Sequence, residues 1–82
     1  MNRADIEHAV LRSLKAVAPE AEVSTLSRGE DLRDAFDIDS MDFLRFVVGL
    51  HDTLHVDVPE RDYPKIRTLD TCVAYLEARL AT

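Results

Sequence analysis

Asp37-Ile38-Asp39-Ser40-Met41-Asp42, running into Phe43-Leu44-Arg45-Phe46-Val47-Val48-Gly49-Leu50, is the stretch whose reading decides the fold. A polar loop turns there into an apolar segment that extends to Leu54, with one hydroxyl set among three carboxylates. Phe43, Phe46, Val47, Leu50 and Leu54 recur at spacings of three and four, the pattern of a helix with a buried stripe. Met41, Leu44 and Val48 carry apolar character round a second side. Such a helix either lies deep in a core or shows part of its surface to a partner or ligand. In a chain of 82 residues there is little interior to hide it, which favours a partner or ligand face.

Working outward, Ile6, Ala9, Val10, Ser13, Leu14 and Val17 predict a surface helix from about Arg3 to Ala18, ended by Pro19. Residues 19–39 follow no regular period and form a long first loop. Leu26, Leu32, Phe36 and Ile38 are placed to pin it to the core, with Leu32 in a short turn of helix. Loops of this length in small domains are usually functional. Beyond the apolar helix, Pro59 opens a short helical segment from Glu60 to Tyr63, and Pro64 stops it. Thr68 reads as an N-cap, with Asp70 in the first turn. Leu69, Cys72, Val73, Leu76 and Leu80 supply the buried stripe of a last helix. The expectation is a single all-α domain over residues 1–82, with three longer helices and one short one.

Composition narrows the function. Ten basic and sixteen acidic side chains give a net charge of −6, the opposite of a nucleic-acid-binding face and suited to basic surfaces on protein partners. The single cysteine, Cys72, forms no intramolecular disulfide. The N-terminus lacks an apolar signal region, and no apolar run approaches a membrane span, so a cytoplasmic protein is expected. No long exposed heptad requires a dimer, and a monomer is expected.

Several chemical signals compete. Asp39-Ser40 before a helix is a cap in the plainest reading, worth about 1 kcal/mol. The same hydroxyl can be a handle for a phosphate-linked group, because helix N-termini favour anions. His51-Asp52-Thr53-Leu54-His55 resembles the metalloprotease pattern His-Glu-x-x-His. Asp is a shorter base than Glu, however, no third ligand is evident, and the domain has no room for a cleft. No metal site is assigned. A calcium loop starting at Asp37 fails, since Asp42 stands where the sharp turn needs Gly. Cys72 lies on the inward stripe and reads as core, as do Phe43, Phe46 and Tyr75.

The ordered set of these pieces resembles the acyl carrier protein family, the phosphopantetheine-bearing carriers of fatty-acid, polyketide and peptide synthesis. Asp31-Leu32, Asp39-Ser40-Met41-Asp42, Val58-Pro59-Glu60-Arg61-Asp62 and Lys65-Ile66-Arg67-Thr68-Leu69 stand in the family's order without obvious insertions. That resemblance implies a carrier-type four-helix bundle in which Ser40 takes 4′-phosphopantetheine from coenzyme A, with Asp39 as its adjacent support. It also implies a stand-alone carrier, not an enzyme, holding acyl or aminoacyl groups as thioesters. Its partners would be a phosphopantetheinyl transferase and acyl-loading and acyl-transfer enzymes. The alternative is a carrier-fold interaction module that is never loaded and works by docking alone.

Two departures stand out. Asp37 replaces the usual glycine, and Asp tolerates left-handed backbone better than most residues. Acid is concentrated before Ser40: residues 30–42 hold six carboxylates against Arg33, whereas residues 43–55 are formally neutral. Asp37 and Asp42 are therefore expected to dock basic partners, together with Met41, Arg45 and Val48 on the helix. The charge pattern points to a dedicated pathway.

Overall fold

The structure is a computed structural model that describes residues 1–81. Four α-helices and two 3-10 segments follow one another, and among the described residues no strand forms. Helix α1 spans Arg3–Val17, α2 Leu32–Phe36, α3 Ser40–Leu54 and α4 Leu69–Leu80. A 3-10 turn at Val23–Thr25 lies in the first loop, and a longer 3-10 helix occupies Glu60–Ile66. The all-α carrier-type bundle expected from the sequence is what forms, its four longer elements being α1, α3, the second 3-10 helix and α4.

The longer helices bury most of the stripe their sequences predict. Asn2 starts α1 by accepting the Asp5 N–H at 2.8 Å, and Ile6, Ala9, Val10, Ser13 and Leu14 face inward. The helix closes at Val17, with Ala18 as cap just before Pro19. Phe43, Phe46, Val47, Leu50 and Leu54 of α3 fill the centre against it. The two helices cross through small residues: a Cβ added to Gly49 would stand only 3.4 Å from the Ser13 hydroxyl oxygen. Thr68 caps α4 by accepting the Thr71 N–H at 3.1 Å.

Two boundaries differ from expectation. The short helix does not stop at Pro64 but continues to Ile66. A 3-10 turn accepts proline's fixed φ and forfeits one hydrogen bond at most. Ile66 is fully buried, and the Tyr75 hydroxyl donates to Asp62 Oδ2 at 2.7 Å, so both ends of the segment are anchored. Pro59 is its N-cap with extended backbone (ψ 152°), one position earlier than the first helical residue. Leu80, expected in the buried stripe, is instead exposed, because residues 77–80 all project beyond the core.

The long first loop is tied down at several points. Leu32 and Ile38 are buried, and Leu26 and Phe36 pack against the same cluster, in keeping with their spacing. Arg28 pairs with Glu7 of α1 at 2.5 Å and with Asp70 of α4 at 2.6 Å, and its carbonyl accepts the Asp70 N–H at 3.0 Å. Arg67 pairs with Asp31 at 2.8 Å while its carbonyl accepts the Leu32 N–H at 2.7 Å. The start of α2 is thereby fixed against the start of α4.

Candidate functional site

The site is the corner where α2 hands the chain to α3. Asp31 caps α2, its Oδ1 accepting the N–H groups of Arg33 at 2.9 Å and Asp34 at 3.2 Å. After five residues the helix ends in a left-handed residue, Asp37, at φ 52° and ψ 46°. Glycine is the usual occupant of such a terminator, and a short polar side chain is the next most tolerant. The N–H groups of Asp37 and Ile38 both reach back to the Arg33 carbonyl, the second at 3.0 Å. Ile38 then plugs into the core, and the chain emerges at Asp39 with extended backbone (φ −83°, ψ −179°).

Between the two candidate caps the geometry is decisive. Asp39 Oδ1 accepts the Asp42 N–H at 2.8 Å, so the aspartate caps α3. Ser40 is the first helical residue, exposed, and its hydroxyl is not spent on the cap. The first amides of an α-helix have no intrahelical acceptor, so Ser40 sits beside N–H groups that favour an anion. One side chain approaches its oxygen: Arg33 Nη2 lies 3.4 Å from Ser40 Oγ, a long and weak hydrogen bond. Arg33 also donates Nε–H to the Ile38 carbonyl at 3.3 Å, and its guanidinium lies 5.9 Å from the centre of the Phe43 ring.

The expected docking residues divide into two groups. Met41, Arg45 and Val48 share one exposed face of α3, following one another at four- and three-residue steps; Met41 is 62% and Val48 51% exposed. Leu44, 45% exposed, lies between them and completes an apolar patch. Asp37 and Asp42 instead border a cleft of about 550 Å³ between α2 and the segment after α1, whose floor includes Val17, Ala21, Phe36 and Ile38. Arg45 bridges the two groups, its Nη1 standing 3.8 Å from Asp42 Oδ1. Read from sequence, Arg33 counts only as a charge and Leu44 falls outside the docking set. The signals are present all the same: Arg33 is the lone base of the acidic run, and Leu44 is one helical turn from Met41.

The other candidates resolve into structural parts. His51 faces Asp57 at 3.3 Å and Asp52 at 3.6 Å, whereas His55 leaves the helix as its left-handed cap (φ 59°). No group of three or more His, Cys, Asp or Glu side chains among the described residues is placed to hold a metal ion. Cys72 is fully buried, and burial pushes its thiol up to about 12. Phe43 and Phe46 are core, with Tyr63 edge-on to Phe43 at 5.5 Å between ring centres.

Residues 8–76 match the family model described as the phosphopantetheine attachment site. The chain belongs to that family of carrier proteins. A weaker likeness joins it to the acyl carrier protein of Lactobacillus johnsonii, 28% identical over 53 residues, which cover 65% of this chain and 66% of that relative. The prosthetic group of the family is 4′-phosphopantetheine, covalently attached. No helix of the described residues is long and apolar enough to cross a membrane.

Proposed function

We propose that Ser40 carries the phosphopantetheine arm and that the protein is a carrier of acyl or aminoacyl groups. One observation supports this reading above the others: Asp39 performs the capping, so the Ser40 hydroxyl stands exposed at a helix N-terminus. In loading, Ser40 Oγ forms a bond to the pantetheine-side phosphorus of coenzyme A. The phosphoanhydride bond breaks, adenosine bisphosphate leaves with the electron pair, and the hydroxyl proton passes to a base of the transferase. When bound, the arm supplies a terminal thiol on which a group is held as a thioester.

This chain's own residues bind and orient. The amides that open α3 face the new negative charge. Asp39 fixes the first turn that presents Ser40 and offers a carboxylate to the transferase or its metal ion. Met41, Leu44 and Val48 give partners an apolar patch, with Arg45 beside it and the Asp37–Asp42 edge on its flank. No residue needs to perform catalysis, because a tethered group meets successive enzymes at high effective concentration. Electrostatic docking suits such visits, since it speeds association without demanding slow release.

The test is intact mass after incubation with coenzyme A and a phosphopantetheinyl transferase. The wild type should gain one phosphopantetheine and Ser40→Ala none; a wild type that never gains it would overturn the carrier reading. Loading should also slow as salt rises, because exposed attractions are screened over about 8–10 Å. A rate indifferent to salt and to Asp42→Asn would remove the acidic edge from the docking surface.

A further inference from the structure

Attachment at Ser40 leaves an electrostatic problem. Residues 30–42 already carry a net charge of −5, and Asp37, Asp39 and Asp42 lie within three positions of Ser40 in the sequence. A phosphodiester adds one more negative charge at that point. The helix amides offset part of it, but an exposed helix end contributes only modestly in water.

We propose that Arg33 is the phosphate-binding side chain of the loaded site, its guanidinium pairing with the phosphodiester on Ser40. The inference rests on Ser40 being the attachment point. Arg33 is the only basic residue between Glu30 and Asp42, and its Nη2 is the side-chain donor directed at Ser40 Oγ, at 3.4 Å. That separation is long for a hydrogen bond to a hydroxyl. It suits a donor whose better acceptors lie beyond the oxygen, where an esterified phosphate presents its charged oxygens. Guanidinium–phosphate contacts are charge-assisted and often bidentate, and Arg has five N–H donors for them.

The guanidinium is also held in readiness. Its Nε–H is tied to the Ile38 carbonyl, its carbon lies 5.9 Å from the Phe43 ring centre, and its backbone carbonyl takes the two N–H groups that end α2. A side chain already ordered loses little rotamer freedom on binding. The basic side chain on the other flank, Arg45, faces Asp42. With Arg33 engaged, the arm leaves the surface from a fixed root at the α2–α3 corner, and the charge added by loading is offset within the chain.

The test compares unloaded and fully loaded protein, with loading confirmed by mass. Arg33→Gln also loses the tie to Ile38, so stability is read as a double difference that cancels this effect. Loading should lower the Tm of Arg33→Gln by about 2–4 °C more than that of the wild type. In the wild type, the Arg33 side-chain Nε–Hε resonance should shift on loading, and its exchange with water should slow. Arg33→Lys, a point charge without the fork, should restore part of the Tm difference. Should Arg33→Gln fail to fold, the wild-type spectra decide alone. Complete loading with an unmoved Arg33 resonance, or with equal Tm changes in wild type and variant, overturns this inference and leaves the role of Ser40 standing. Absence of any mass gain at Ser40 overturns both.

Discussion

Asp39 caps α3 and is proposed also to serve loading, and two substitutions separate the two roles. Its carboxylate oxygen lies 2.8 Å from the Asp42 amide, a geometry that any good N-cap acceptor reproduces. Replacing it with Ala deletes the acceptor and leaves an orphan amide, a loss of about 0.5–2 kcal/mol. In a domain of this size, that lowers Tm by about 4–8 °C per kcal/mol. Asn keeps an oxygen in the same place and ranks with Asp as a cap. It gives up a favourable charge at the positive helix end, worth about 0.3–1 kcal/mol at an exposed site. The same change removes one of six crowded carboxylates between Glu30 and Asp42, which acts in the opposite direction. Asp39→Asn should therefore lie within about 0.5 kcal/mol of wild type, by this balance of cap, dipole and repulsion.

Loading should behave differently. If the carboxylate assists the transferase or its metal, both variants lose that contact. A hydrogen bond to a charged group contributes about 1.5–3 kcal/mol, so loading efficiency should fall about tenfold or more in each. The assay pairs thermal melts with initial loading rates measured well below Tm. A stable Asp39→Asn that loads slowly is the expected result. If it loads at the wild-type rate, Asp39 is a cap and nothing more. If it melts with Asp39→Ala, the observed cap geometry is not what stabilises the first turn.

At Asp37 the left-handed backbone sets a further test. Glycine relieves positive-φ strain but adds roughly 0.5–1 kcal/mol of unfolded-state freedom, so Asp37→Gly should melt close to wild type, whereas Asp37→Val should melt several degrees lower; equal melting of the two would deny the strain. Cys72 should stay silent toward thiol reagents in the folded unloaded protein, since its thiol is buried and titrates only at about 12. One equivalent should appear on loading, from the arm; reaction of the unloaded protein would show that the α4 core opens. The Tyr75 hydrogen bond, with the Lys65 charge as a lesser cause, holds the Asp62 carboxyl below its usual range, so its contribution is present above about pH 4 and is lost as pH falls through the lowered value. Tyr75→Phe should thus be less stable than wild type near neutrality, and the gap should close in acid; a gap that persists at pH 2 would point to packing alone.

The helices were legible because their apolar spacing is set by burial, and burial is what α1, α3 and α4 share. Thr68 as a cap and Asp37 as a tolerated left-handed residue could also be read locally. Other features depend on contacts distant in sequence. Nothing near Arg28 announces Glu7 or Asp70, which lie 21 and 42 positions away. The continuation of the 3-10 helix through Pro64 depends on Ile66 and on Tyr75, thirteen residues from its partner Asp62. Whether Asp39 or Ser40 caps α3 is a matter of one backbone position. It is decided by where α2 ends, which the sequence shows only as an irregular loop.

Ser40 is thus positioned by residues that never touch it. Leu32 is fully buried, and its N–H is bound to the Arg67 carbonyl, so α2 has one seat against the core. Asp31 and Arg67 close the same junction from outside, and Arg28 ties the preceding loop to α1 and α4. Exposed ion pairs contribute little singly, so these side chains choose a location for the loop more than they stabilise the fold. Once α2 is seated, its left-handed exit leaves few routes from Phe36 to a buried Ile38, and Asp39 meets the start of α3 in capping geometry. The hydroxyl then faces outward because the residue before it has taken the cap. The corner that presents Ser40 also brings Arg33, the second residue of α2, to its side. The basic residue of the acidic run and the exposed serine therefore meet through the same local turn, while the exposed apolar patch of Met41, Leu44 and Val48 continues along α3 from that point.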